Sequence, residues 1–395
     1  MKVAVTGASG FVGRHLIPRL AASGITTVLI GRDPARLKAQ FPESSCFGYN
    51  ELEHLAGCAA IIHLAVMNNN KAGTVSEFIS ANVTLLSKVV EAAELYGVKR
   101  IVNISSSHVL DNTVRSGYAI SKTMAVELLR SKENVETVNI VCSKIFDKPK
   151  DGSGVRSGFV ANTVWAVISA IKPVVDVSEV VDNVIEACYG RRRGTIICSS
   201  DQADNYVYRF GKRTLDLCVA TAVSLFLSWA IALIWIAVRL TSSGPAIFAQ
   251  ARVGENGRIF ICYKFRTMHS GTRQAATHEI SSSAVTPLGS WLRRTKLDEL
   301  PQVWNVFRGD ISFVGPRPCL PVQSELIEER MRRRVYAVKP GITGLAQIND
   351  IDMSHPGRLA EWDARYVALR SLWNDIRIMM LTILGRGKGD RTIAN

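Results

Sequence analysis

Two groups of side chains in this sequence are spaced for chemistry. The first lies in TKLDELPQVWNVFRGDISFVGPRP, residues 295–318, where Asp298 and Glu299 stand side by side and Arg317 sits between two prolines. Adjacent residues on a helix project about 100° apart, so the two carboxylates cannot do the same work on one atom. One can meet phosphorus while the other holds a metal or orients its partner. Pro301 is tolerated only in a first helical turn, which predicts a helix starting near Asp298 whose free N–H groups attract phosphate. Arg317, mounted rigidly, would grip phosphate oxygens in bidentate fashion at little ordering cost. Upstream, Lys264 and Arg266 alternate with aromatics; in a strand both cations would share a face, an arrangement suited to a diphosphate. A bare Asp-Glu dipeptide is also a common favourable charge at a helix start, and it is the arginine and lysine motifs around it that argue for more.

The second group is in the first half. MKVAVTGASGFVGRHL places Gly7, Gly10 and Gly13 at three-residue intervals between an apolar strand and a helix, where backbone N–H groups can receive a pyrophosphate. The strand-like runs TTVLIG, AAIIHLA and RIVNISS alternate with helical ones, a βαβ pattern that predicts a doubly wound parallel sheet, the Rossmann-like α/β class. Where an acidic residue would hold a ribose 2′-hydroxyl, the chain has Arg32, which suits a 2′-phosphate and hence NADP over NAD. Tyr118 and Lys122 fall four apart with serines a dozen residues upstream; an ammonium beside the phenol would favour the phenolate and make Tyr118 a proton donor or acceptor at a carbonyl.

The elements that must position these groups follow from length and composition. At 395 residues the chain calls for two domains: residues 1–205, and residues 241–395 after a membrane-embedded segment at 206–240. Residues 1–205 carry 22 Lys and Arg against 19 Asp and Glu, and the remainder 26 against 15, so the second half should favour anionic partners. Zinc-finger spacing, RNA-binding aromatic motifs and basic low-complexity tails are missing from the sequence, which argues against nucleic acid. Eight scattered cysteines without C-x-x-C read as reduced thiols, and a strand-like N-terminus without a leader pattern implies folding in the cytosol.

From Leu217 to Val238 the chain carries no formal charge; as a straight helix of about 33 Å this could cross a hydrocarbon core of about 30 Å. Positive residues flank both ends, compatible with both facing the cytoplasm. The expectation is a re-entrant hairpin, for which Ser224 and Ser228 are the candidate bends. With such a hairpin, an NADP domain before this segment and an anionic-substrate site after it lie together on the cytoplasmic face. Leu369, Leu372, Trp373, Ile376, Met379 and Met380 form an apolar helical stripe near the C-terminus that would face lipid or core.

Through TGASGFVG, IIHLA, NVTLLSKVVEAAELYGVKRIVNISSS and YAISK, residues 1 to about 200 resemble the extended short-chain dehydrogenase/reductase family of NAD-dependent epimerases and dehydratases. The resemblance implies catalytic Ser106, Tyr118 and Lys122 around a nicotinamide cofactor, with Asn82 a weaker fourth member. Only 47 residues, 147–193, separate VNIVCSKIF from GTIICSSDQ, so the substrate lobe usual in that family is shortened. A cofactor-binding or scaffolding domain is the alternative to a reductase or epimerase.

Through KRTLDLCVATAVSLFLS, SSGPAIFAQARVGENGRIFICYKFRTM, the stretch from TPLG to VGPRP, VKPGITGLAQI and YVALRSLWNDIRIMMLTIL, residues 210–385 resemble the monotopic phosphoglycosyl transferases, mainly α membrane enzymes with a re-entrant helix. These bacterial inner-membrane enzymes load a sugar-1-phosphate onto polyprenyl (undecaprenyl) phosphate. The resemblance implies Asp298 as nucleophile on the sugar-bearing phosphorus of a UDP-sugar, UMP as leaving group, Glu299 as a Mg2+ ligand, and Arg317 with Lys264 and Arg266 on the phosphates. Two departures stand out: Trp229 follows Ser228 where the family has proline, and Ser282, Ser283 and Ala284 replace an expected Asp-x-Arg. A non-enzymatic membrane scaffold binding acidic lipid is the reading from another class. The sugar and any homo-oligomer are left open by the sequence.

Overall fold

The computed structural model describes residues 1–68, 72–110, 116–148, 155–269, 271–272 and 284–387, with no side-chain description for 155–159. Ser282 and Ser283 lie outside the described residues. The chain forms two compact units, one of Met1–Trp165 with Pro173–Ser200 and one of Ala166–Lys172 with Asp201–Asn395.

In the first unit, β1 (Lys2–Thr6), β2 (Thr26–Ile30), β3 (Ser45–Phe47), β4 (Ala60–His63), β5 (Arg100–Ser106) and β6 (Glu136–Cys142) are followed by the short β7 (Lys144–Phe146) and β8 (Val174–Asp176), then β9 (Gly194–Cys198). Seven of them make one sheet in the order β3-β2-β1-β4-β5-β6-β9, and every neighbouring pair is parallel. Continuous β-branched and aliphatic runs produce this because helices cover both faces: Val3, Val5, Ile62, Val102 and Ile140 pack on one side, and Ala4, Val28, Ile61 and Ile101 on the other. The order reverses between β1 and β4, which opens a crevice beyond their carboxyl ends. The glycine loop follows β1, which borders it, and Tyr118 follows β5, the neighbour of β4.

In the second unit the apolar segment is a single helix, Tyr206–Thr241. Among the described residues it alone is long and apolar enough to cross a membrane. It runs through Ser224 and Ser228 without the break expected there. Trp229 keeps the amide that a proline would remove, and Ser228 Oγ merely reaches back to the Leu225 carbonyl at 3.4 Å. Leu225, Phe226 and Trp229 are 71%, 74% and 64% exposed. Both ends nevertheless rest on the same unit: Ala220 packs with Val303, Val306 and Ile311, while Ile234 and Val238 pack with Ala246, Phe265 and Leu292.

After this long helix come a β-hairpin, β10 (Ile247–Val253) with β11 (Ile259–Phe265), and a parallel pair, β12 (Ser312–Val314) with β13 (Gly341–Thr343). Helices Pro287–Thr295, Gln302–Arg308, Ser324–Arg332, Pro356–Leu369 and Leu372–Ile383 complete the unit. The C-terminal apolar stripe is split, because Leu369 ends one helix and Ser371 caps the next through its side chain. Trp373, Ile376 and Met380 are exposed, whereas Asp375 and Ile378 on the opposite face are buried.

Candidate active site

Asp298 lies in a tight turn, Leu297–Glu299, ahead of the helix Gln302–Arg308. Pro301 caps that helix, so Asp298 precedes it and is not in its first full turn. That helix has only seven residues. Lys296, just before the turn, adopts a left-handed conformation with φ 59°, uncommon for a residue with a Cβ and worth noting beside a reactive group. It reverses the chain between helix Pro287–Thr295 and the carboxylate pair.

The two carboxylates have different surroundings. Glu299 Oε1 accepts from Lys264 Nζ at 2.9 Å and from Arg317 Nη2 at 2.9 Å. Burial pushes the Glu299 carboxyl up, but Arg317 and Lys264 outweigh it and hold it at about 2. Asp298 is 9% exposed; burial and then the charge of Glu299 raise it to about 6, against the pull of Lys264, Arg317 and Arg293. The pair is thus one carboxylate held down by two cations beside one raised toward neutrality by burial.

The supporting residues were partly hidden in the sequence. Asn305, fully buried, accepts from Tyr263 N at 3.1 Å and donates to the Ile261 carbonyl at 2.7 Å, so helix Gln302–Arg308 is stitched to β11 where Lys264 projects. Arg293 Nε donates to Thr267 Oγ1 at 2.9 Å; this cation beside Asp298 was missed, its one signal being its place in the last turn of a helix five residues earlier. Arg266 corrects a sequence expectation. It lies one residue past the end of β11 and donates to the carbonyls of Pro245, Val238 and Ser242, so it closes the C-terminal end of the long helix and is not aimed at phosphate. Alternation gives a residue's face, not the point at which the strand stops.

Asp298, Glu299, Lys264, Arg293 and Arg317 line a cavity of about 1280 Å³ whose wall also includes Val223 and Leu227 of the long helix. A charged site therefore opens beside an apolar helix.

In the first unit the glycine loop has the geometry its spacing implies. Gly7 has φ 73°, and a Cβ there would lie 2.5 Å from Ala65 N; one on Gly13 would lie 2.1 Å from the Ala8 carbonyl. Gly10 caps the helix Phe11–Ala22. Arg32 is exposed after β2, while Asp33 is occupied in capping the next helix through Arg36 N. Ser106 closes β5, hydrogen-bonds Tyr118, and lies 2.8 Å from His108 Nδ1, a neighbour the sequence reading did not single out. Lys122 bonds a backbone carbonyl. Its Nζ donates to the Ile104 carbonyl at 2.9 Å, and burial lowers it to about 8. Burial likewise raises the Tyr118 hydroxyl, opposed by the bond from Ser106. Asn82 holds the loop after β4 through Met67 N and O and reaches Ser121 Oγ at 3.0 Å, a brace for the Tyr118 helix.

Comparison with known proteins divides the chain in the same way. Residues 207–388 match the family model for bacterial sugar transferase, and residues 3–174 that for the NAD dependent epimerase/dehydratase family. Each half of the chain is thus similar to one of these two families. The sequence is 39% identical over 185 residues to an undecaprenyl-phosphate glucose phosphotransferase of Komagataeibacter xylinus, covering 44% of this chain and 35% of that protein. It is 40% identical over 188 residues to the UDP-glucose:undecaprenyl-phosphate glucose-1-phosphate transferase of Escherichia coli K12, covering 45% and 40%. The chain thus spans less than half the length of these relatives. Among solved structures, a UDP-glucose 4-epimerase of Thermotoga maritima aligns with 17% identity and a TM-score of 0.39 over 51% of this chain and 77% of that one. A UDP-N-acetylglucosamine 4-epimerase of Bacillus cereus aligns with 18% and 0.40 over 51% and 78%.

In the second unit the donors available to a divalent ion are few. Among the described residues no group of three or more His, Cys, Asp or Glu side chains converges. Glu299 is ionised, and a single carboxylate supplemented by substrate phosphates and water is a usual Mg2+ donor set. In the first unit, Gly7 and Gly13 let the loop pack directly on the backbone of Ala65 and Ala8, the close strand–loop–helix packing that a dinucleotide-binding turn needs.

Proposed function

We propose that the sugar-transferase half moves a sugar-1-phosphate from a UDP-sugar to polyprenyl phosphate, in the undecaprenyl class, by way of a covalent enzyme intermediate. The observation that carries this reading is the carboxylate pair itself: Glu299 is fixed by Lys264 and Arg317, while Asp298, buried beside it, makes no short ion pair among the described residues and lines a cavity walled partly by the apolar helix.

An Asp298 carboxylate oxygen attacks the sugar-bearing phosphorus. The bond from that phosphorus to the bridging oxygen breaks, and UMP leaves with the oxygen. Arg317, Lys264 and Arg293 stabilise the charge gathering on the phosphoryl oxygens. An oxygen of the lipid phosphate then attacks the phosphoaspartate, forming a diphosphate-linked sugar and restoring the carboxylate. Glu299 would hold Mg2+ with the substrate diphosphate, and the ion would spread charge over the phosphoryl oxygens. Val223 and Leu227 offer an apolar approach for the polyprenyl chain.

The long helix supports a monotopic placement at the cytosolic face of a bacterial inner membrane. Both its ends pack on one unit, whereas the exposed Leu225–Trp229 turn offers an apolar surface to lipid. The epimerase/dehydratase half is read as binding a nicotinamide dinucleotide, NADP by virtue of Arg32, and acting through Tyr118, Ser106 and Lys122 on the UDP-sugar before transfer. A second reading, cofactor binding without turnover, is favoured by the bond of Lys122 to Ile104 and by the short β6-to-β9 connection. UMP release measured across UDP-sugars, with and without polyprenyl phosphate, tests the transferase reading. UMP from no UDP-sugar under either condition would reject it.

A further inference from the structure

The long helix begins with a buried polar face that the chemistry above does not use. Tyr208, Lys212 and Asp216 recur at four-residue intervals, so they share one side of the helix just before its uncharged stretch. Asp216, 5% exposed, accepts through Oδ1 from Ser312 Oγ at 2.9 Å and from Phe313 N at 3.0 Å. Lys212 Nζ lies 2.8 Å from Asp375 Oδ2 and donates to the Val314 carbonyl at 2.9 Å. Tyr208 OH lies 3.4 Å from the same Asp375 oxygen. Tyr366 OH approaches Asp375 Oδ1 at 2.9 Å and the Val314 carbonyl at 3.0 Å.

Every residue of β12 is therefore held by this face: Ser312 and Phe313 by Asp216, and Val314 by Lys212. The chain then passes through Gly315, whose amide donates to the Thr343 carbonyl at 2.9 Å and where a Cβ would meet the Lys339 carbonyl at 2.4 Å. Two residues later Arg317 reaches Glu299. With Pro316 and Pro318 on either side, this segment has little freedom to absorb a shift in β12.

We infer that Asp216 and Lys212 are positioning residues for Arg317, so that the seating of the apolar helix is transmitted through β12 to the phosphate-binding guanidinium. The inference rests on the transferase reading for its catalytic consequence but not for its structural one. A side chain with no oxygen acceptor at 216 leaves the Ser312 hydroxyl and the Phe313 amide unsatisfied, and the start of β12 is no longer fixed to the helix. Asparagine keeps an oxygen acceptor and should preserve the arrangement. Misplacing a phosphate-binding group by an ångström is enough for a loss on the order of a hundredfold.

The test is a double-mutant cycle on the full-length protein in nanodiscs, with amide exchange measured on the same samples. Asp216→Leu is expected to lower UMP release on the order of a hundredfold, Asp216→Asn by only a few-fold, and Asp216→Leu combined with Arg317→Ala no further than Arg317→Ala alone. Ser312→Ala, a milder variant should the leucine protein fail to fold, is expected to lose a few-fold, again not in the Arg317→Ala background. Exchange should rise at Phe313 and Gly315–Arg317 in Asp216→Leu while the β10–β11 hairpin stays protected. Losses that multiply in the Arg317→Ala background, or unchanged exchange at 313–317, would overturn the inference. A wild-type protein that releases no UMP would instead remove the transferase reading, and the exchange result would still decide whether Asp216 positions this segment.

Discussion

The two halves present their reactive groups in opposite states. In the sugar-transferase half, Glu299 is already gripped by two cations and Asp298 is already set apart from it by burial. In the epimerase/dehydratase half, Lys122 is turned to a backbone carbonyl and the Tyr118 hydroxyl is pushed away from ionisation. Charge pairing between side chains can preorganise a site before any ligand arrives, whereas a site built around a dinucleotide depends on the ligand to complete its electrostatics. The contrast separates what each half can do unaided.

The sharpest way to break this contrast is at Asp298. Asp298→Asn keeps the size of the side chain but not its nucleophilic charge, and UMP release is expected to fall by about a thousandfold or more, with nucleotide binding by the first half unchanged in a fluorescence titration. Next in size is the comparison of two arginines. Arg317→Ala should cost on the order of a hundredfold in kcat. Arg266→Ala should chiefly lower Tm, because it frees the carbonyls at the end of the long helix; an equal kcat loss without a Tm change would return Arg266 to the phosphate site. In the other half, Tyr118→Phe should abolish NADPH oxidation with a 4-keto UDP-sugar if that half turns over, and leave UMP release from UDP-sugar unaltered. A wild type that binds NADPH without consuming it would favour the binding-only reading.

The smallest expected effect is on stability and pH. The folded-state Lys122 is lowered by burial to about 8, below the ordinary lysine value that the unfolded chain retains. Between about 8 and the ordinary value the unfolded state binds more protons, so this lysine makes stability rise with pH across that window. Urea midpoints of the first half should therefore climb between pH 8 and 10 by more in the wild type than in Lys122→Met, and the difference should shrink when NADP is bound.

Much of this was legible in residue order, for definite reasons. The glycine loop could be read because positions 7 and 13 tolerate no Cβ, and the parallel sheet because its strands are apolar without alternation. Asp298, Glu299, Lys264 and Arg317 could be read as a group because the ordered motifs around them carry a family resemblance that the Asp-Glu step alone does not. Arg266 could not, since its role depends on where β11 ends and where the long helix closes. Arg293 and Asn305 looked like ordinary helix residues, and their importance comes from partners elsewhere in the chain, Thr267 and Tyr263. Lys122 was placed correctly beside Tyr118 on its helix, but spacing does not say which acceptor an ammonium chooses. Asp216 and Asp375 are 159 positions apart in sequence, and nothing local links either to Arg317.

The central claim is that the Asp298 carboxylate becomes bonded to the sugar phosphate. Intact-protein mass spectrometry after incubation with a UDP-sugar and Mg2+, without polyprenyl phosphate, tests it directly. The account predicts a sugar-phosphate adduct that maps to Asp298, is absent in Asp298→Asn and is discharged when polyprenyl phosphate is added. A wild-type protein that releases UMP only when polyprenyl phosphate is present, and never carries the adduct, would contradict it.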